Sequence, residues 1–211
     1  IPENLYIVGT VNMDETTHPF SKKVLDRANT IEFNEVYLDN FLFSDDVDTV
    51  LDALPFKVNN DFLKAQYLTL NDCIEGNEEL LKDIIDKLVE INNILQEANL
   101  QVGYRVRDEL CFYMLYNQRE GLLDENIAFD FQLMQKILPR IQGSGEAIKK
   151  VLVNLFKFTT GRDYSGEDGD IGEKAMEYVK ANSDLLYPRS ATKLAYMIQR
   201  YEEEGFTSYW L

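Results

Sequence analysis

Apolar residues recur at three- and four-residue intervals through most of the chain after residue 76. The pattern is clearest after Asn77, where one helix face carries Leu81, Ile84, Ile85, Leu88, Ile91, Leu95 and Ala98. Asn77 suits an N-cap, and Glu78 and Glu79 complement the positive end of the helix dipole. The pattern therefore predicts a long amphipathic helix that begins near residue 78.

The same periodicity predicts a series of helices further along the chain, and Gly205 follows the last of them where glycine commonly ends a helix. Their expected bounds are Tyr104–Tyr116, Glu125–Leu138, Gly145–Phe158, Gly172–Ala181 and Ser190–Glu204. So many consecutive helices exclude a continued α/β sheet in this region.

The first 33 residues follow a different pattern. The run Leu5–Val11 is apolar on both faces, which is typical of a strand buried in a mostly parallel sheet. A polar loop follows, then a short helix over Pro19–Arg27 and a second strand over Asn29–Phe33. A helical connection between two strands predicts a parallel α/β arrangement.

The whole chain is therefore predicted to be mainly α, with a short α/β remnant followed by an all-helical domain. Residues 1–35 form the α/β piece, residues 36–75 an irregular connector, and residues 76–211 the helical domain. Because the first strand needs neighbouring strands that these residues do not supply, we expect the chain to be the C-terminal portion of a larger protein.

The net charge of −16 disfavours non-specific nucleic-acid binding, which needs clustered Lys and Arg. Cys73 and Cys111 form no CxxC pair, so buried free thiols in a reducing cytoplasm are expected. No stretch approaches the roughly 18 consecutive apolar residues of a membrane span. These features favour a cytoplasmic protein.

Common catalytic motifs are missing from the sequence. It contains no GxxxxGK[ST], GxSxG or HExxH, and His18 is its one histidine. The Gly- and Asp-rich stretch TTGRDYSGEDGDIGEK fails the calcium-loop pattern, because the sixth position from Asp163 is Asp168 rather than Gly. A solvated loop is the expected interpretation of that stretch, and no metal site is predicted.

Two features of the first 33 residues could carry chemistry. Asn12 follows the first strand, at the sheet edge where ligands bind in α/β folds. Arg27 lies at the end of the short helix that also carries Lys22 and Lys23. A surface arginine can stabilise charge on a transferring phosphoryl group of a neighbouring subunit, and pairing with nearby acidic residues is the alternative.

A third feature is the segment GYRVRDE at 103–109. It places Arg105 and Arg107 in the first turn of a predicted helix, beside Asp108 and Glu109. Cations at this end oppose the helix dipole, so either a function or local ion pairing is needed to explain them.

The stretch NLYIVGTVNMDETTHPFSKKVLDRANTIEF resembles the second half of an AAA+ nucleotide-hydrolysing module of the McrB-like group, the motor subunits of modification-dependent restriction systems. Gly-Tyr-Arg at 103–105 resembles the second sensor on the helical lid of such modules. The segments LPRIQGSGEAIKKVL and YPRSATKLAYMIQRYEEEGFTSYW resemble the lid extension of the same group.

The resemblance implies roles for individual residues. Asn12 corresponds to the first sensor, which holds the attacking water near the γ-phosphate. Asp14 and Glu15 lie in the adjoining loop, which could help place water or meet a neighbouring subunit. Arg27 corresponds to the arginine finger. Arg105 corresponds to the second sensor, with Arg107 as the alternative for that role.

The resemblance also implies GTP or ATP with Mg²⁺ as the ligands of the full-length protein, and none for this piece alone, which has no P-loop and should be inactive. The implied partners are further copies in a ring, expected to be a hexamer, a McrC-like nuclease subunit, and DNA contacted by other regions; no membrane is expected. The alternative is an acidic helical protein-binding module without nucleotide chemistry.

Overall fold

The structure of the chain is a computed structural model, which describes residues 5–13, 18, 20–33, 69–161 and 170–210. It divides into two compact units, one formed by residues 1–10 and 32–68 and the other by residues 11–31 and 69–211. The described residues of the first unit lie outside helices and strands. The boundaries predicted at residues 35 and 75 stay a prediction.

The second unit is mainly helical, which confirms the predicted class. Its α-helices are α1 (Lys22–Leu25), α2 (Glu78–Gln96), α3 (Tyr104–Glu120), α4 (Glu125–Gln132), α5 (Glu146–Thr160), α6 (Ile171–Ala181) and α7 (Pro188–Glu204). Shorter elements are 3₁₀ turns at Leu70–Cys73 and Leu138–Arg140 and a π-helical turn at Leu133–Ile137. The two-residue strands β1 (Gln142–Gly143) and β2 (Thr207–Ser208) pair antiparallel.

The helices that the periodicity predicts after residue 76 are present. Their ends differ by up to four residues, except that α4 ends as an α-helix at Gln132 and not at the predicted Leu138. The predicted apolar stripe of α2 supplies five buried residues, Leu81, Ile84, Leu88, Ile91 and Leu95. Gly205 ends α7 with a φ of 70°, as its position predicts. No helix in the described part of the chain combines the length and apolar character that crossing a membrane requires.

The two predicted strands at the beginning of the chain are not formed. Residues 5–13 and 28–33 have no regular secondary structure, and Ile7 and Val8 are 87% and 89% exposed. A strand must exchange backbone hydrogen bonds with a neighbour, and the one sheet among the described residues is the β1–β2 pair. The prediction of a strand buried on both faces was therefore wrong for the chain as it stands.

Helices α6 and α7 approach each other closely at Gly172. A Cβ atom built on Gly172 would lie 2.4 Å from the Cα of Gln199, so only glycine fits. The carboxylate of Glu202 accepts hydrogen bonds from the backbone N–H groups of Ile171 (2.9 Å) and Gly172 (2.6 Å). Glu202 thus caps the first turn of α6 from the neighbouring helix.

Replacing Gly172 with alanine is expected to lower the free energy of unfolding by about 2 kcal/mol, because the added methyl group forces α6 away from the α7 backbone. Urea denaturation measures this change. Gly103→Ala is the matched control, since a Cβ there meets nothing within 4 Å. An equal effect of the two substitutions would contradict the close approach of the helices.

Candidate functional site

An arm formed by residues 20–31 is attached to the helices of the same unit. Phe20 packs edge-on against Trp210, with ring centroids 5.6 Å apart, and Leu25 is buried. Thr30 Oγ1 donates a hydrogen bond of 2.8 Å to the carbonyl of Gln135. The arm is therefore held by contacts near both of its ends and in its middle.

Lys136 places a buried ammonium group beneath the arm. Its side chain is completely buried, and its Nζ donates a hydrogen bond of 3.0 Å to the carbonyl of Ala28. The same Nζ forms an ion pair with the carboxylate of Glu109, which lies on α3. One cation therefore contacts both the arm and α3.

Arg140 makes a second bridge of the same kind. Its side chain is 5% exposed, and its Nη1 pairs with the carboxylate of Asp26 in the arm. Its Nη2 donates a hydrogen bond of 3.1 Å to the carbonyl of Gln101, just before α3. Its Nε is buried and has no hydrogen-bond partner among the described residues.

We refer to these six residues, Asp26, Ala28, Gln101, Glu109, Lys136 and Arg140, as the two-cation cluster. Both cations lie where the backbone departs from α-helical geometry, Lys136 in the π-helical turn after α4 and Arg140 in the 3₁₀ turn that follows. Such irregular turns are frequent at functional sites. Burying two cations costs several kcal/mol each unless they are paired, as they are here.

Arg27 lies immediately after the carboxylate that Arg140 binds. Residues 26 and 27 form the turn that follows α1, and the Arg27 N–H donates to the carbonyl of Val24 at 2.9 Å. The Arg27 side chain is exposed, and no ion pair or side-chain hydrogen bond joins it to the described residues.

The two arginines of the GYRVRDE segment differ in their surroundings. Arg107 is engaged locally, with its Nε and Nη2 at 2.8 and 2.6 Å from Asp108 Oδ1 and its guanidinium 4.9 Å from the Tyr104 ring centroid. Arg105 is exposed in the first turn of α3, without an ion pair among the described residues. Local pairing therefore accounts for Arg107 and leaves Arg105 unexplained.

The remaining predicted site residues are Asn12, Asp14 and Glu15. Asn12 is exposed and does not follow a strand among the described residues, and its role as a first sensor stays a prediction. Asp14, Glu15 and the Gly- and Asp-rich loop over residues 162–169 lie outside the described residues. Within the described ranges, no group of three or more His, Cys, Asp or Glu side chains could hold a metal ion.

Both cysteines are buried free thiols, as predicted. Burial raises the pKa of the Cys111 thiol to about 12, and burial also raises the pKa of Cys73. Both thiols are therefore neutral at physiological pH and unsuited to act as nucleophiles.

Sequence reasoning missed the two-cation cluster. A signal was present, since Lys136 and Arg140 are two cations within the mainly apolar run LMQKILPRI. Cations at such positions must be paired when the surrounding residues are buried. Their partners in the arm could not be found from spacing, because Lys136 lies 108 residues from Ala28 and Arg140 lies 114 residues from Asp26.

Residues 49–206 match the model of a protein family described as a domain of unknown function, DUF8727. The chain belongs to this family. No curated protein and no solved structure matches the chain. The DUF8727 match includes Glu109, Lys136 and Arg140 but not Asp26 or Arg27, so the two-cation cluster joins the DUF8727 domain to a segment that precedes it.

Proposed function

We propose that this chain is part of an AAA+ nucleoside triphosphatase of the McrB-like group, using GTP or ATP with Mg²⁺, and that its helices form the lid of that module. In this proposal the full-length protein assembles as a ring, expected to be hexameric. The ring powers a DNA restriction system together with a McrC-like nuclease subunit.

The attachment of the arm to α3 carries the proposal. The resemblance assigns the finger to Arg27, in the arm, and the second sensor to Arg105, in α3. Lys136 bridges these two elements, and Arg140 bridges the arm to Gln101, just before α3. Both side chains are exposed, as groups that reach a nucleotide must be. The exposed apolar run Leu5–Val11 adds support, because such a run is suited to join a larger sheet.

Each residue would then contribute a separate step. Arg27 would stabilise the charge that develops on the γ-phosphoryl group bound by the neighbouring subunit. Arg105 would contact the phosphates of the nucleotide bound by its own subunit, and Asn12 would orient the attacking water. The sequence contains no GxxxxGK[ST], so we assign the phosphate-binding loop, together with the metal ligands, to other parts of the full-length protein.

Nucleotide hydrolysis by the full-length protein tests this proposal. We expect turnover of GTP or ATP that depends on Mg²⁺ and rises with protein concentration as rings assemble, measured by phosphate release and by sedimentation velocity. A full-length protein that contains no GxxxxGK[ST] motif and binds neither nucleotide would refute the proposal.

An acidic protein-binding module is the second candidate. The net charge of −16 favours this candidate. The DUF8727 match favours it as well, because the matched region does not include the first 48 residues of the chain. Salt-sensitive binding of a basic partner protein, without nucleotide hydrolysis by the full-length protein, would support this second function.

The second-sensor role predicts different results for the two arginines of α3. Arg105→Ala is expected to weaken nucleotide binding by the full-length protein about ten- to a hundredfold, since a charge-assisted contact to phosphate contributes roughly 1.5–3 kcal/mol. Arg107→Ala should leave affinity nearly unchanged, because Arg107 already pairs with Asp108. Titration with a fluorescent nucleotide measures both affinities. Loss of affinity in Arg107→Ala alone would transfer the role to Arg107.

A further inference from the structure

We propose that Arg140 is a positioning residue that orients Arg27 and connects it to α3. The attachment of the arm follows from the contacts of this chain alone. The consequence for hydrolysis rests on the proposed function, in which Arg27 reaches the nucleotide of a neighbouring subunit.

Asp26 is held at both its side chain and its backbone. Its carboxylate is bound by Arg140, and the backbone N–H of Asp26 donates to the carbonyl of Lys22 at 2.9 Å. These contacts fix the position of Asp26. Because Arg27 is the next residue, they also restrict the direction in which the Arg27 side chain extends from the surface. Releasing the Asp26 carboxylate would let the turn at 26–27 rotate.

The turn at 26–27 is also connected to α3 and to the residues just before it. The guanidinium that binds Asp26 also donates to the carbonyl of Gln101, and Lys136 holds Ala28 and Glu109 in the same way. Glu109 lies four residues after Arg105, which places the two on the same side of α3. A displacement of α3 on nucleotide binding would therefore change the position of the arm.

The ionic contacts of Arg140 do something that the apolar contacts of the arm cannot. The arm already has apolar anchors in Phe20 and Leu25, and buried ion pairs often stabilise a fold no better than apolar residues of similar size. A guanidinium, however, binds two acceptors in fixed directions, which an apolar side chain cannot do. The Arg140 contacts are thus suited to fix an orientation.

The experiment compares three variants of the full-length protein. Arg140→Met removes the cation, and Arg140→Lys retains the charge. Asp26→Asn changes the partner of Arg140 in the arm, and the Asp26 side chain is partly exposed. Arg200→Met is the matched control, since Arg200 pairs with Glu204 at a distance from the arm in sequence. Circular dichroism tests whether each variant folds. If Arg140→Met does not fold, Asp26→Asn replaces it in the comparison.

The first readout is hydrogen exchange of residues 24–30. We expect exchange at least about tenfold faster in Arg140→Met and Asp26→Asn, with partial recovery in Arg140→Lys and no change in Arg200→Met. The second readout is steady-state hydrolysis, where kcat should fall about a hundredfold while KM stays within about threefold, as expected when a group that acts in the transition state is misplaced.

Unchanged exchange in both Arg140→Met and Asp26→Asn would overturn the positioning role. Faster exchange with an unchanged kcat would also overturn it, because Arg140 would then be purely structural. If the wild-type protein neither binds nor hydrolyses nucleotide, the proposed function fails, and the exchange result alone decides whether Arg140 fixes the arm.

Discussion

Replacing Arg27 with alanine is expected to reduce nucleotide hydrolysis by the full-length protein about a thousandfold, because an arginine finger stabilises charge that appears only in the transition state. Nucleotide affinity should be retained, since the finger acts on the neighbouring subunit. Stability should change by less than about 0.5 kcal/mol, because the Arg27 side chain is exposed. Phosphate release, nucleotide titration and thermal denaturation measure the three quantities.

A mixing experiment separates a finger from a residue that acts within its own subunit. Arg27→Ala subunits keep an intact nucleotide site, and subunits inactivated in the phosphate-binding loop keep an intact finger. Mixed rings should therefore regain activity that neither variant has alone. Lys23→Ala, which removes an exposed cation of the preceding helix α1, is the control and should stay active. Mixtures without any recovery would argue against action in trans.

Replacing Asp130 with alanine is expected to lower the free energy of unfolding by about 3 kcal/mol, because it leaves buried donors at the start of α7 without an acceptor. Asp130 is buried on α4, and its carboxylate accepts hydrogen bonds from the N–H groups of Arg189 (2.8 Å) and Ser190 (2.9 Å) and from the Ser190 hydroxyl. Pro188 has no N–H, so Asp130 serves the next two donors of α7.

Two further substitutions divide this effect into parts. Ser190→Ala removes only the hydroxyl and should cost about 1 kcal/mol. Asp130→Asn keeps the size of the side chain but removes its charge, so an intermediate loss is expected. Urea denaturation gives all three values. A loss below about 1 kcal/mol in Asp130→Ala would show that water replaces the carboxylate at this helix end.

Helices could be predicted from the sequence and the strands could not, for a physical reason. A helix forms its hydrogen bonds within one segment, so the stripe from Leu81 to Leu95 and the glycine at 205 are sufficient to locate it. A strand depends on a neighbour that may lie anywhere in the chain. The run Leu5–Val11 has strand composition, and its residues nonetheless remain exposed without a partner strand among the described residues.

The irregular end of α4 could not be predicted either. Apolar spacing continues through Leu138, so the sequence predicts one helix, whereas the backbone changes to π-helical and then 3₁₀ geometry after Gln132. Within this stretch Lys136 binds the arm and α3, and Arg140 binds the arm and the carbonyl of Gln101, just before α3. Their long-range contacts are a property of the assembled fold and leave no mark on the local periodicity.

The sequence by itself determined the mainly helical class, the approximate helix bounds, the buried state of both cysteines and a set of candidate arginines. The tertiary structure alone decided that Arg107 is paired locally while Arg105 and Arg27 are exposed. It also decided that the arm is bound through two buried cations. Helical periodicity is local, whereas the pairing of a buried charge depends on residues that only folding brings within hydrogen-bonding distance.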